Sequence, residues 1–162
     1  MQRSDRFAVA RSATTRQRRD GEVDGREYFF LSDAEFQRLV DAGEFLEHVG
    51  YAGGRYGTLV SEVERLLETG CDVVLELEVE GSFAVRRRRP DAVLVFIAPP
   101  RFEDLEARLR HRATDSAGDI EMRLAIAREQ MREREHFDIV IVNDDVERAT
   151  GELVETLEGL PR

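Results

Sequence analysis

Residues 92–98 read A-V-L-V-F-I-A, an unbroken apolar run that Pro99-Pro100 brings to a stop. So short and continuous a run cannot span a membrane; it fits a strand buried on both faces, the habit of parallel sheets. Ile139 to Val142 is a second run of this kind, and it ends at Asn143-Asp144-Asp145. Val73 to Val79 alternates as V-V-L-E-L-E-V, and Phe7 to Ala10 adds one more short apolar stretch. Helical patterns lie between these strands. Ser32-Asp33-Ala34-Glu35 is a capping box, Phe36, Leu39 and Val40 make one apolar face, and Gly43 sits at a C′ position. A second helix is expected over Leu59–Glu68, with Val60, Val63, Leu66 and Leu67 inward and Gly70 as its stop. Phe102–Arg112, Ile120–Glu135 and a C-terminal segment complete the helices. Strands alternating with helices imply an α/β layer fold with a mostly parallel sheet, and ligands bind such folds at the carboxyl ends of the strands.

Charge narrows the function classes. Acidic residues outnumber basic ones by 34 to 24, for a net charge of −10, which disfavours a binder of nucleic-acid polymers. Every one of the 24 basic residues is arginine. Some of these suit phosphate recognition, and proteome bias explains most of them. Cys71 is the only cysteine, which leaves no intrachain disulfide and no cysteine metal cluster. Met1 to Asp5 is polar and lacks the apolar block of a signal peptide, so cytoplasm is the expected location, with no membrane partner.

Three blocks carry chemistry. In the first, Ser12, Arg16 and Arg19 surround a turn and Tyr28 follows in D-G-R-E-Y; paired guanidinium forks with nearby hydroxyls suit a dianionic phosphate. The second contains Glu47, Tyr56, Gly57 and Thr58. A carboxylate can accept both the N1–H and N2–H of guanine while a threonine hydroxyl donates to O6, and adenine would leave that carboxylate unpaired. Read alone, Glu47 better suits a surface glutamate before a turn. The third block is Arg108, Arg112 and Arg123, spaced to close over transferring phosphates. Their acidic neighbours Glu103, Asp104 and Glu106 also permit an ordinary helix face of ion pairs.

Taken together, S-A-T-T-R-Q-R-R-D-G-E-V-D-G-R-E-Y-F-F, E-F-L-E-H, Y-G-T, F-I-A-P-P, R-x-x-x-R-A-T and V-I-V-N-D-D resemble guanylate kinase in order and spacing, over essentially the whole chain. The resemblance implies a P-loop kinase-like three-layer core with a parallel sheet, an inserted mixed-β subdomain that binds GMP, and a helical lid. On that pattern the core is 1–11, 70–100 and 124–162, the GMP subdomain 12–69 and the lid 101–123. It also implies transfer of the ATP γ-phosphate to GMP with Mg2+, giving GDP and ADP. Ser12, Arg16, Arg19, Tyr28 and Tyr56 would hold the GMP phosphate, and Glu47, Thr58 and Glu78 would read guanine. Glu76 matches an acidic residue near the transferring phosphates and Mg2+, Arg108, Arg112 and Arg123 match the lid arginines, and Asn143 matches a loop near adenine. No residue is expected to ligate a metal by itself.

The departures from the pattern are specific. Glu78 stands where the family usually has Asp, Glu80 where it has Gln, Ala113 where it has Gly and Arg18 where it has Pro. The sequence contains no G-x-x-x-x-G-K-[ST] motif, so the first strand and phosphate-binding loop of the family are expected to be absent and turnover weak. The alternative expectation is a non-catalytic module that recognises GMP or a phosphopeptide.

Overall fold

In the computed structural model, which describes residues 6–51, 53–111 and 117–160, the chain divides into two compact units, Met1–Ala92 and Val93–Arg162. The first unit opens with β1 (Phe7–Val9) and β2 (Ser12–Thr14), followed by β3 (Phe29–Phe30) and α1 (Asp33–Asp41). It continues through β4 (Phe45–Tyr51), β5 (Gly54–Leu59), α2 (Val60–Leu67), β6 (Asp72–Val74) and α3 (Val79–Arg88). β1 and β6 pair in parallel, Phe7 opposite Asp72 and Val9 opposite Val74. The other strands form a mixed sheet in the order β3-β2-β5-β4. Its central pair is antiparallel and sets Ser12 opposite Thr58 and Thr14 opposite Tyr56.

Local chemistry accounts for α1 in full. Ser32 accepts from the Glu35 N–H, and the Glu35 carboxylate accepts from the Ser32 N–H, so both halves of the capping box are present. At the other end the Gly43 N–H reaches the Val40 carbonyl and the Glu44 N–H the Leu39 carbonyl, a Schellman closure. It requires a left-handed residue, which Gly43 supplies at φ +71. The apolar face of α1 drops Phe36 onto Phe45 and Ala13, with Phe29, Leu31, Leu39, Val40 and Leu59 around them. A second cluster joins Ala10, Val63 and Leu66 beneath β1 and β6. Leu67, expected inward, is 41% exposed, because the last residue of α2 has already turned off the core face.

β4 and β5 pair in one register from Glu47–Thr58 to Tyr51–Gly54, and the register then shifts between Phe45 and Glu47. Leu46 is the extra residue of this β-bulge. Phe45 and Glu47 are both buried, yet they serve different neighbours: one ring in the core, one carboxylate beside Thr58.

The expected strand Val73–Val79 is corrected. β6 stops at Val74, because its partner β1 is itself only three residues long and the Ala10 N–H makes the last bond, to the Val74 carbonyl. Residues 75–78 connect to α3, a helix that the alternating glutamates concealed. Arg86, Arg87 and Arg88 therefore belong to a last helical turn, where cations suit the helix dipole.

The second unit is built on β7 (Val95–Ala98) and β8 (Ile139–Val142), parallel and in register from Val95–Ile139 to Ala98–Val142. α4 (Phe102–Arg110), α5 (Ala117–Arg132), a 3₁₀ turn (Glu133–His136) and α6 (Val146–Glu158) complete it. Leu94, Phe96, Ala98, Ile120, Leu124 and Ile141 are buried here. The α/β character with parallel strand pairs is the one the apolar runs imply. No helix among the described residues is long and apolar enough to cross a membrane.

Candidate functional site

The phosphate-side residues gather at the end of β2. Arg16 leaves the strand with its guanidinium 5.4 Å from the centre of the Tyr28 ring and 5.7 Å from that of Phe30. Its Nη1 donates to the Gln17 carbonyl at 2.7 Å and to Glu22 Oε2 at 3.0 Å, and its Nη2 donates to Glu22 Oε1 at 2.7 Å. Glu22 and, more weakly, Tyr56 favour the charged guanidinium. The Tyr28 and Tyr56 rings meet edge to face, 6.2 Å apart. Burial pushes the Tyr28 phenol upward; Tyr56 and Glu76 add to the effect, and Arg16 opposes it. Glu76, exposed in the 75–78 connection, therefore shares the field of this cluster. Ser12 is half-buried at the start of β2; the Arg19 side chain is exposed, and its N–H donates to Glu22 Oε2 at 2.7 Å.

The base-side pair lies on the neighbouring strands. Glu47 is 5% exposed and Thr58 1%, and the Thr58 hydroxyl donates to Glu47 Oε1 at 2.8 Å. Desolvation raises the Glu47 carboxyl, against hydrogen bonds from Thr58 that lower it. The Thr58 proton, expected on a guanine O6, is here committed to Glu47. A hydroxyl has a single proton, so the two donations exclude each other and the hydroxyl must rotate to make the second.

Two glycines make the room that Glu47 occupies. A Cβ on Gly81 would fall 2.8 Å from Glu47 Oε2, and one on Gly57 would fall 2.8 Å from the Glu47 carbonyl oxygen and from the Phe45 ring. Gly81 lies in the first turn of α3, so the carboxylate rests against the helix start, where negative charge is favoured. Glu78 is the N-cap residue of that helix.

In the second unit Arg108, on α4, donates through Nη2 to the Asn143 carbonyl at 3.2 Å, joining two residues expected on the ATP side. Asn143 follows β8, and its N–H bonds the Ala98 carbonyl at 2.7 Å. Its side-chain Oδ1 is buried with no hydrogen-bond partner among the described residues. Arg123 is half-buried on α5. Arg112 and Ala113 lie outside the described residues.

Comparison with known proteins gives the family. The family profile for guanylate kinase matches residues 1–160. The chain belongs to the guanylate kinase family. A guanylate kinase from Rubrobacter xylanophilus is 48% identical over 151 residues, covering 93% of this chain and 79% of the relative. One from Prochlorococcus marinus is 50% identical over 149 residues, 92% of this chain and 78% of that protein. Among solved structures, the guanylate kinase of Anaplasma phagocytophilum superposes with a TM-score of 0.80 at 30% identity, covering 95% of this chain and 76% of that one. Its likeness extends to the mixed α/β fold as a whole.

Within this guanylate kinase family member, sequence reasoning missed Glu22 and Gly81. Glu22 stands three residues after Arg19 in a D-G-E turn, the one local signal that a carboxylate could fold back on the arginines. Gly81 carried no signal, because α3 itself was not anticipated. Gly81→Ala is expected to displace the Glu47 carboxylate and weaken GMP binding by about 10-fold, the worth of one charge-assisted hydrogen bond. Calorimetric titration beside a thermal melt checks this; unchanged affinity would show that Glu47 yields without cost.

Proposed function

We propose that this chain binds GMP through the Arg16–tyrosine cluster and the Glu47–Thr58 pair, and takes part in phosphoryl transfer from ATP to GMP as a nucleoside monophosphate kinase. The observation that carries the reading is the β2–β5 register: it holds Ser12 beside Thr58 and Thr14 beside Tyr56, so phosphate and base groups hang from one hydrogen-bonded strand pair. In this reading Ser12, Arg16, Arg19, Tyr28 and Tyr56 hold the phosphate of GMP. Glu47 accepts from guanine N1–H and N2–H, with Thr58 and Glu78 completing the base site in the 12–69 subdomain and at the start of α3. Arg108, Arg112 and Arg123, from the 101–123 lid, neutralise charge on the ATP phosphates as it develops. Asn143 offers an acceptor without a partner among the described residues, which suits the N6 amino group of adenine.

Mg2+ would enter with the triphosphate. Among the described residues no cluster of three His, Cys, Asp or Glu side chains could hold a metal ion, and Glu76 is the exposed carboxylate in the field of the phosphate cluster. The ion's chemistry there is to neutralise phosphate charge; orienting the acceptor phosphate falls to Arg16 and the tyrosine hydroxyls.

The 162 residues contain no G-x-x-x-x-G-K-[ST] motif, and backbone N–H groups of such a loop normally cradle the donor phosphates. A polypeptide of this sequence, assayed by itself, is therefore expected to bind GMP with little or no turnover. Titration with GMP and AMP, run beside a coupled ADP-release assay, tests both halves. Glu47→Gln is expected to cost GMP about 10- to 150-fold in affinity and leave AMP nearly unchanged, because Gln opposes one guanine N–H with its own. Equal binding of GMP and AMP by the unmodified protein would refute the proposal.

A further inference from the structure

Glu22 has no part in the roles assigned above, yet it is the most tightly held carboxylate in the phosphate cluster. Both its oxygens face Arg16, at 2.7 and 3.0 Å, and Oε2 also accepts the Arg19 N–H at 2.7 Å. The pair is half-buried, with the Arg16 side chain 20% and the Glu22 side chain 16% exposed. These contacts hold the Glu22 carboxyl down at about 2, so it is ionised throughout the neutral range. The backbone reinforces them: the Glu22 N–H returns to the Arg19 carbonyl at 3.1 Å, with Gly21 at φ +87 between. Arg26 then ties the Gly21 carbonyl at 3.0 Å.

A guanidinium has five N–H donors, four of them in two forks, one end-on and one side-on, and the fifth on Nη1. Gln17 and Glu22 take three of the Arg16 donors, the end-on fork among them. The Nε–H and the second Nη2–H are left by these three bonds, with the Tyr56 side chain, itself assigned to the phosphate, also interacting with the guanidinium. These two N–H groups form the side-on fork, which matches two oxygens of a phosphate.

We propose that Glu22 is a positioning residue for phosphomonoester recognition: it fixes Arg16 by the end-on fork and pins the Arg19 turn, leaving the side-on fork to the ligand. The inference rests on the GMP reading of this site. The opposite arrangement, in which Glu22 occupies the phosphate's place and must be expelled, requires breaking its two hydrogen bonds from Arg16 and the one from the Arg19 N–H, and it predicts the opposite sign for the effect of each variant on GMP.

Calorimetric titration of GMP into the wild type, Glu22→Gln and Glu22→Ala decides between them, with guanosine followed by ligand-observed NMR as the phosphate-free probe. Glu22→Ala should weaken GMP by about 10-fold or more, the loss of one well-aimed charge-assisted contact. Glu22→Gln, which keeps an acceptor for Arg16, should recover part of that loss. Guanosine should bind all three proteins alike. A variant that binds GMP as tightly as the wild type, or tighter, overturns the proposal, and so does a parallel loss of guanosine, which would mark a merely structural role. If the wild type itself does not bind GMP, the nucleotide reading is at fault and the assignment of Glu22 falls with it.

Discussion

Arg16→Ala should reduce GMP binding by about 100-fold or more, because at least two charge-assisted hydrogen bonds to the phosphate, each ~1.5–3 kcal/mol, disappear together. A second penalty accompanies the first. Glu22 loses both Arg16 donors and is left as a half-buried anion that keeps the Arg19 N–H. Arg16→Lys should rescue little, since an ammonium group cannot present two forks at once. Arg89→Ala provides the control: Arg89 is exposed and paired with Asp91, and GMP affinity should stay within about 2-fold, the usual outcome for an isolated surface ion pair. Titration calorimetry gives the affinities, and thermal melts confirm folding. Equal losses in the Arg16 and Arg89 variants would mean that net charge, rather than a built site, attracts the nucleotide.

The largest stability loss is expected at Phe36. Its side chain is fully buried, and its ring stacks on Phe45 with centroids 4.5 Å apart at 27°. The Arg55 guanidinium sits 4.4 Å from the centre of the same ring. Phe36→Ala should cost about 3–5 kcal/mol, mostly lost transfer free energy plus an unfilled cavity, with the aromatic pair adding ~0.5–1.5 kcal/mol. Against a typical domain stability of ~5–15 kcal/mol, that is enough to make folding of the first unit marginal. Denaturant titration measures the loss, and Phe36→Leu should restore a good part of it by refilling the space. A loss under ~1 kcal/mol would show that α1 adjusts and closes the void.

How much of the fold and site was legible in the sequence depended on how local the cause was. α1 was readable because Ser32, Glu35, Phe36 and Gly43 each act within a few residues, and the structure realises every one of those contacts. The run ending at Ala98 and the run Ile139–Val142 were readable as strands because they are short and unbroken, but the expected cover on both faces is not found: Phe96, Ala98 and Ile141 are buried while Ile97, Val140 and Val142 are exposed. α3 was not. The alternation V-V-L-E-L-E-V has the period of a strand, and only the shortness of β1, set far away in the sequence, ends β6 at Val74. Glu47 and Thr58 could be named as a base-reading pair, but the bond between them depends on the β4–β5 register, which sequence periodicity leaves open. Nothing local beyond its turn marks Glu22, because carboxylates near arginines are common on surfaces and its half-buried pairing with Arg16 is a tertiary fact.

Leu46 interrupts the β4–β5 ladder and packs on the Ala10, Val63 and Leu66 cluster rather than beneath Phe36. One unpaired residue separates the ring that anchors the strand from the carboxylate beside Thr58. From Glu47 outward, pairing is governed by the tight reversal that Gly53 closes at φ +79, not by what lies under Phe45. The hairpin therefore behaves as a cassette: a shift in how α1 seats its aromatic residues can be absorbed at Leu46 before it reaches the groups that would tell one purine from another.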